Sequence, residues 1–221
     1  MDSYSYAHND TSKGEKKSCT APLNKVRLPD CIEKLRESAF SRGIPTADDE
    51  TTGFLKNLVL AVKPENILEL GTAVGISGAV MLFSSPSARL TTIERDEKFY
   101  REACANFSSL GLDGRVCAVL GDAGEEIQKL DKEYDFIFLD CAKVQYVKYL
   151  PRLKQLLKKG GTLVADDVLL YGWITGETPV PPKRRMLCTH VREYLDAVTS
   201  DEELGTTILN IGDGVALSVK I

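Results

Sequence analysis

From Pro29 onward the apolar positions fall into repeating blocks. Ile32, Leu35 and Ala39 share one face of a helix that Asp30 is placed to cap, and after Gly43-Ile44-Pro45 a second helix opens at Thr46 with Asp48, Asp49 and Glu50 in its first turn. Its apolar stripe is Phe54, Leu55, Leu58 and Val59, and Pro64 ends it. Short apolar runs at 66–70, 90–94, 116–120, 136–140 and 162–165 then read as strands, with amphipathic helices over 97–110, 123–130 and 144–158 as crossovers. This alternation predicts a mostly parallel α/β sheet with right-handed connections. The stretch DVLLYGWITGETPVPPKR, residues 167–184, breaks the rhythm with its prolines and glycines and reads as a long functional loop or lid. A helix over 185–198 follows, then runs at 206–210 and 215–220 around Gly212-Asp213-Gly214, a hairpin at one edge of the sheet. Residues 1–28 are polar with no apolar period and read as a mobile tail ahead of a single domain, 29–221.

Composition narrows the class. Hydrophobic residues are 43% of the chain and charged residues 27%, a globular balance with no run suited to a membrane span. The 6 cysteines show no C-x-x-C spacing and the opening residues lack the apolar core of a signal peptide, so a cytoplasmic protein with free thiols is expected. A net charge of -4 argues against a general nucleic-acid coat while leaving room for a local basic patch.

The candidate chemistry gathers at strand ends. The first strand runs into Glu69-Leu70-Gly71-Thr72-Ala73-Val74-Gly75-Ile76-Ser77, a turn between strand and helix where open α/β sheets bind ligands, and equally readable as a tight turn that needs flexible backbone. Its G-x-x-x-G spacing is a poor match to the dinucleotide fingerprint G-x-G-x-x-G. Glu94 ends the second strand, where an acid accepts both hydroxyls of an adenosine ribose; its other reading is a solvated strand-end charge. Asp122, in Gly121-Asp122-Ala123, either reaches an adenine amino group or caps the helix behind it. Asp140 ends FIFLD and Asp166-Asp167 ends TLVADD. Each aspartate alone reads as a cap, but carboxylates on adjacent strand ends repel unless a hard divalent ion such as Mg²⁺ is held between them. Lys143 stands near the same pocket. A dication would lower its pKa toward that of a base, and its other reading is a solvated lysine at a helix start.

In order and spacing, LELGTAVGIS, TTIE, GDA, FIFLDCAK, LVADD and IGDGVALS resemble the metal-dependent catechol and caffeoyl-CoA type O-methyltransferases, from about residue 36 to the C-terminus. Within that family, ESAFSRGIP and PPKRRMLCTHVREYLDAV are similar to the bacterial tRNA 5-hydroxyuridine methyltransferases. The resemblance implies a Rossmann-like class I methyltransferase, a seven-stranded sheet with an antiparallel edge hairpin and helices on both faces, working as a homodimer. It implies that Glu69, Gly71, Thr72, Ser77, Glu94, Asp122, Ala123 and Asp140 line an S-adenosylmethionine site, with Ala47 on the helix that covers it. Asp140, Asp166 and Asp167 would hold Mg²⁺, or Mn²⁺ or Ca²⁺, and Lys143 with Asp140 would be catalytic. The family usually has Asn where Asp167 stands, and the stretch before residue 29 does not resemble its N-terminal helix.

The reaction so implied is methyl transfer to a hydroxyl that has a second oxygen beside it. 5-Hydroxyuridine in tRNA and a small catechol both present that pair. Lys183, Arg184 and Arg185 suit phosphate contacts and tip the sequence reading toward tRNA, whereas Tyr171 and Trp173 suit an apolar wall for a small phenol. More distant readings are a NAD-dependent oxidoreductase, disfavoured by the missing fingerprint, and a catalytically silent cofactor-binding module, disfavoured by the aspartates and Lys143.

Overall fold

A computed structural model describes residues 23–221. Helix α1 (Asp30–Ser41) begins with Pro29 as its N-cap residue; Asp30 lies inside the first turn and makes no capping bond, contrary to expectation. Proline there fixes φ and has no N–H to lose. Helix α2 (Asp49–Val62) starts later than the sequence suggested, because the Asp48 carboxylate accepts from Thr51 N at 2.7 Å and so defines the first turn. Its C-cap is Lys63, in left-handed conformation immediately before Pro64.

The remaining elements are β1 (Asn66–Leu70), α3 (Ile76–Ser84), β2 (Arg89–Glu94), α4 (Glu97–Ser109), β3 (Val116–Leu120), α5 (Ala123–Lys129), β4 (Tyr134–Leu139), α6 (Tyr146–Leu156), β5 (Leu157–Ala165), α7 (Arg185–Ser200), β6 (Leu204–Leu209) and β7 (Val215–Lys220). They build the expected 7-stranded sheet, in the order β3-β2-β1-β4-β5-β7-β6, parallel throughout except where β7 runs antiparallel to β5 and β6. Helices cover both faces. Strand alternation sorts the core: Ile67, Phe136 and Phe138 pack with Leu55, Val59, Val80 and Phe107 on one face, while Leu68, Leu70, Ile137 and Leu139 pack with Tyr146, Leu153, Val191 and Tyr194 on the other. The junction of α6 and β5 differs most from expectation. The helix expected to reach 158 stops at Leu156, and β5 starts at Leu157, where Leu157 pairs with Tyr134 and the register then shifts to Phe136 opposite Thr162. Gly160, at φ 76°, sits within this irregular start of the strand.

Part of the expected mobile tail is tied down. Asn24 Nδ2 donates to Glu50 Oε1 at 2.7 Å and Lys56 Nζ to Arg27 O at 2.6 Å, so residues 24–27 lie along α2. The rest of that tail, residues 1–22, lies outside the described residues. Among the described residues no helix is long and apolar enough to cross a membrane.

The strand order reverses between β1 and β4, since the chain winds outward from β1 to β3 and then returns to build β4 and β5. A crevice at the carboxyl ends of such strands is where open α/β sheets take ligands. Every candidate site residue of the strand ends lies along this edge.

Candidate active site

Gly71 joins β1 to the crevice. Its N–H donates to Ile93 O at 3.0 Å, and Asp140 N donates to Leu70 O at 2.9 Å, so the ends of β2, β1 and β4 are stitched together across the switch point. Gly71 has φ 97°, and a Cβ on it would lie 2.0 Å from the Asp140 carbonyl oxygen. Only glycine fits, on both counts.

Of the residues expected at the cofactor, Glu69, Ser77, Thr72 and Glu94 are joined in one hydrogen-bonded group through Thr92. Glu69 is wholly buried; Oε1 accepts from Ser77 Oγ at 2.5 Å and Oε2 from Thr92 Oγ1 at 2.6 Å. Burial pushes its carboxyl up to about 7 against the pull of those hydroxyls. From this position Glu69 braces the turn from behind. Thr72 Oγ1 meets Thr92 Oγ1 at 2.5 Å. Glu94 Oε2 accepts from Thr72 N at 3.2 Å and Ala73 N at 2.9 Å, and Oε1 from Asp96 N at 2.9 Å, so the acid at the tip of β2 is bonded to the glycine turn rather than solvated. Gly121 N donates to Glu94 O, which brings the start of α5 alongside. There Asp122 caps α5 through Gly124 N at 2.9 Å, the cap reading of that residue, and Ala123 is the first helical residue. Ala47 corrects its expectation: it precedes α2 instead of lying on it, with its carbonyl accepting from Arg36 Nη2 and Thr52 Oγ1.

Across the crevice, the acidic residues and Lys143 meet. Lys143, in a short 3₁₀ turn ahead of α6, donates from Nζ to Asp140 Oδ1 at 2.8 Å and lies 2.9 Å from Asp167 Oδ2. Burial pulls its pKa down, but Asp140 and Asp167 together outweigh burial and hold it well above the ordinary lysine value. Lys143 thus stands between two carboxylates that raise its pKa, whereas the expected depression toward a base is tied to a dication beside it. Asp166 is almost fully buried, and burial, then Asp167 and Asp140, push its carboxyl well above the usual carboxylate range. Asp167 has φ 55°, a conformation that Asp and Asn tolerate better than most residues. Tyr146 OH donates to Leu139 O at 2.9 Å and to Asp166 O at 3.3 Å, tying the ends of β4 and β5.

With Lys143 between the carboxylates, no three His, Cys, Asp or Glu side chains among the described residues are gathered as metal ligands. The chemistry of the donor set nevertheless fits a hard cation. Asp140, Asp166 and Asp167 bring three hard carboxylate donors to adjacent strand ends, and the one lysine among them pairs with two, a donor set suited to a hard divalent ion. Cys141 beside them is no nucleophile, since burial pushes its thiol up to about 12.

The loop after Asp167 carries the acceptor candidates. Tyr171 and Trp173 stack edge to face with ring centroids 5.2 Å apart. Lys183 and Arg184 lie in a short 3₁₀ turn and Arg185 opens α7, all exposed. Arg184 is near enough to act on Tyr171, as are Asp167 and Lys143. Sequence reasoning missed Asp213, whose Oδ1 accepts from Tyr171 N at 2.5 Å. It also missed Thr92, although its pairing opposite Glu69 follows from strand register once β1 and β2 are aligned.

A profile described as O-methyltransferase matches residues 24–221. The chain belongs to that family and is an S-adenosylmethionine-dependent O-methyltransferase. It is 28% identical over 203 residues to a caffeoyl-CoA O-methyltransferase of Populus kitakamiensis, 86% of each chain being covered. The crystal structure of a candidate caffeoyl-CoA O-methyltransferase from Staphylococcus aureus superposes with a TM-score of 0.80 at 34% identity, covering 87% of this chain and 93% of that one. The SAH-bound methyltransferase PaMTH1 of Podospora anserina shares the fold, with a TM-score of 0.82 at 21% identity over 91% and 92% of the two chains.

Proposed function

We propose that this enzyme methylates a ring hydroxyl that has a second oxygen beside it, and that the ring is a phenolic one. The observation that carries the proposal is Lys143 between Asp140 and Asp167 at the switch point, with the Tyr171 and Trp173 rings on the same loop as Asp167. The family relatives named for caffeoyl-CoA support it.

When bound, S-adenosylmethionine supplies a methyl carbon on a positively charged sulfur, and a divalent cation held by Asp140, Asp166 and Asp167 supplies Lewis acidity toward the acceptor oxygens. The protein's own groups do the rest. Glu94 offers carboxylate lone pairs to the ribose diol while its N–H partners in Thr72 and Ala73 keep it in place. Glu69 and Thr92 fix Ser77 and the glycine turn, so the methyl donor rests on backbone that does not reorganise. Tyr171 and Trp173, half-buried and packed edge to face on one another, would form the apolar wall for the ring. Lys143 Nζ, beside Asp140 and Asp167, would take the hydroxyl proton once neutral, the form that the charge of a dication held next to it would favour. Fixing both reactants in line is worth up to about 7–11 kcal/mol, more than any single side chain contributes.

A second reading has its own observation. Lys183, Arg184 and Arg185 are exposed at the far end of the acceptor loop, a place suited to the phosphates of a tRNA that carries 5-hydroxyuridine. Replacing all three with Ala separates the readings. For a small ring diol the KM should stay within about twofold; for tRNA it should rise steeply, with the slope of log affinity against log salt falling by up to about one per charge removed. Methylation of hydroxyuridine tRNA by the intact enzyme, lost in the triple variant, would replace the phenol with the tRNA acceptor. Turnover of neither class by the intact enzyme would sink both.

A further inference from the structure

We infer that Asp213 is a positioning residue for the acceptor side of the site, acting through the backbone of Tyr171. The inference rests on the reading of Tyr171 and Trp173 as the acceptor wall.

The loop that leaves β5 is held in an unusual shape. Asp167, Leu170 and Tyr171 are non-glycine residues with φ 55°, 48° and 57°. Side chains rarely adopt that region, and such backbone persists only where the surroundings over-determine it. Here the surroundings are the turn between β6 and β7. Gly214 O accepts from Val168 N at 2.9 Å and Asp213 O from Leu169 N at 2.9 Å. These two bonds need no particular side chain. The third does: Asp213 Oδ1 accepts from Tyr171 N at 2.5 Å, at the residue where the loop presents its aromatic pair. The other side of the turn is seated just as closely. Gly212 has φ 55°, and a Cβ on it would lie 2.3 Å from Thr51 Oγ1 and 2.8 Å from Asp48 Oδ2, so the turn presses directly on the start of α2. Wedged between α2 and the loop, the Asp213 carboxylate has a fixed base from which to hold Tyr171. Charged groups acting on it are Asp167, Lys143 and Asp48, all at the same end of the sheet.

Asp213→Ala and Asp213→Asn test this, with the intact chain as reference. Trp173 is the only tryptophan in the chain, so its emission reports the loop directly. Asp213→Ala should raise the acceptor KM by about tenfold, the scale of leaving the Tyr171 N–H without its partner, and shift Trp173 emission to the red. The S-adenosylmethionine Kd and the Tm should stay near those of the parent. Asp213→Asn, whose Oδ1 still accepts from Tyr171 N, should restore both KM and emission. The inference is overturned if Asp213→Ala leaves KM and emission unchanged, if the Asn variant is as impaired as the Ala variant, or if the cofactor Kd rises and the Tm falls along with the rise in KM. Emission and cofactor titration need no acceptor. Should no ring diol be turned over, the proposed function fails while the emission of the two variants still decides the role of Asp213.

Discussion

Gly71→Ala is expected to abolish cofactor binding and to destabilise the fold. The new Cβ would sit 2.0 Å from Asp140 O, a contact with backbone on the neighbouring strand that no rotamer change relieves, at a φ of 97° that side chains rarely adopt. Left-handed strain of about 1–2 kcal/mol adds to an overpacking cost of about 1–3 kcal/mol. To relieve the clash, β1 and β4 must part at the switch point, which disturbs Leu70 O and Asp140 N, paired at 2.9 Å, and with them the placement of Asp140. Chemical denaturation and calorimetric titration of S-adenosylmethionine check this. A variant with parental stability and parental Kd would show that the turn is not the cradle described here.

The second large effect is at Lys143. Lys143→Met should lower kcat by about 10²- to 10⁴-fold, the usual contribution of a positioned proton-transfer group, with the S-adenosylmethionine Kd nearly unchanged because Lys143 bonds to the acidic side of the crevice and not to the glycine turn. Lys143→Arg sharpens the test. A guanidinium keeps the positive charge beside Asp140 and Asp167 yet does not give up its proton. If Nζ holds the acceptor's proton, Arg should be nearly as slow as Met in single-turnover measurements. An Arg variant close to the parent would reassign Lys143 to charge compensation alone.

Much of this was legible in the chain because it is local. The buried strands announce themselves as apolar runs, and the aspartates just past the ends of β4 and β5 follow from where those runs stop. The i,i+3 spacing of Asp140 and Lys143 puts them in one pocket, and their ion pair bears this out. What could not be read depends on contacts between distant segments. The Lys143–Asp167 pair requires the left-handed Asp167, itself fixed by a β6–β7 turn more than forty residues on, with Tyr171 and Asp213 42 apart in sequence. The start of β5 was hidden for a related reason. Leu157-Lys158-Lys159 continues a helical pattern, and only pairing of Leu157 with Tyr134, with Lys158 Nζ on Asp135 at 2.6 Å, pulls it into the sheet. The charge state of Lys143 likewise depends on two partners brought together by the fold, one of them remote in sequence.

The central claim is that the acidic residues and Lys143 serve an acceptor with paired oxygens, opposite a cofactor held by Glu94 and the glycine turn. The most direct measurement is transfer of labelled methyl from S-adenosylmethionine, with Mg²⁺ present, to a ring diol and to the same ring carrying a single hydroxyl. We expect the label on one oxygen of the diol, essentially none on the single-hydroxyl ring, and loss of transfer in excess chelator while S-adenosylmethionine still binds. Equal labelling of the two rings, or full transfer in chelator, would contradict this account.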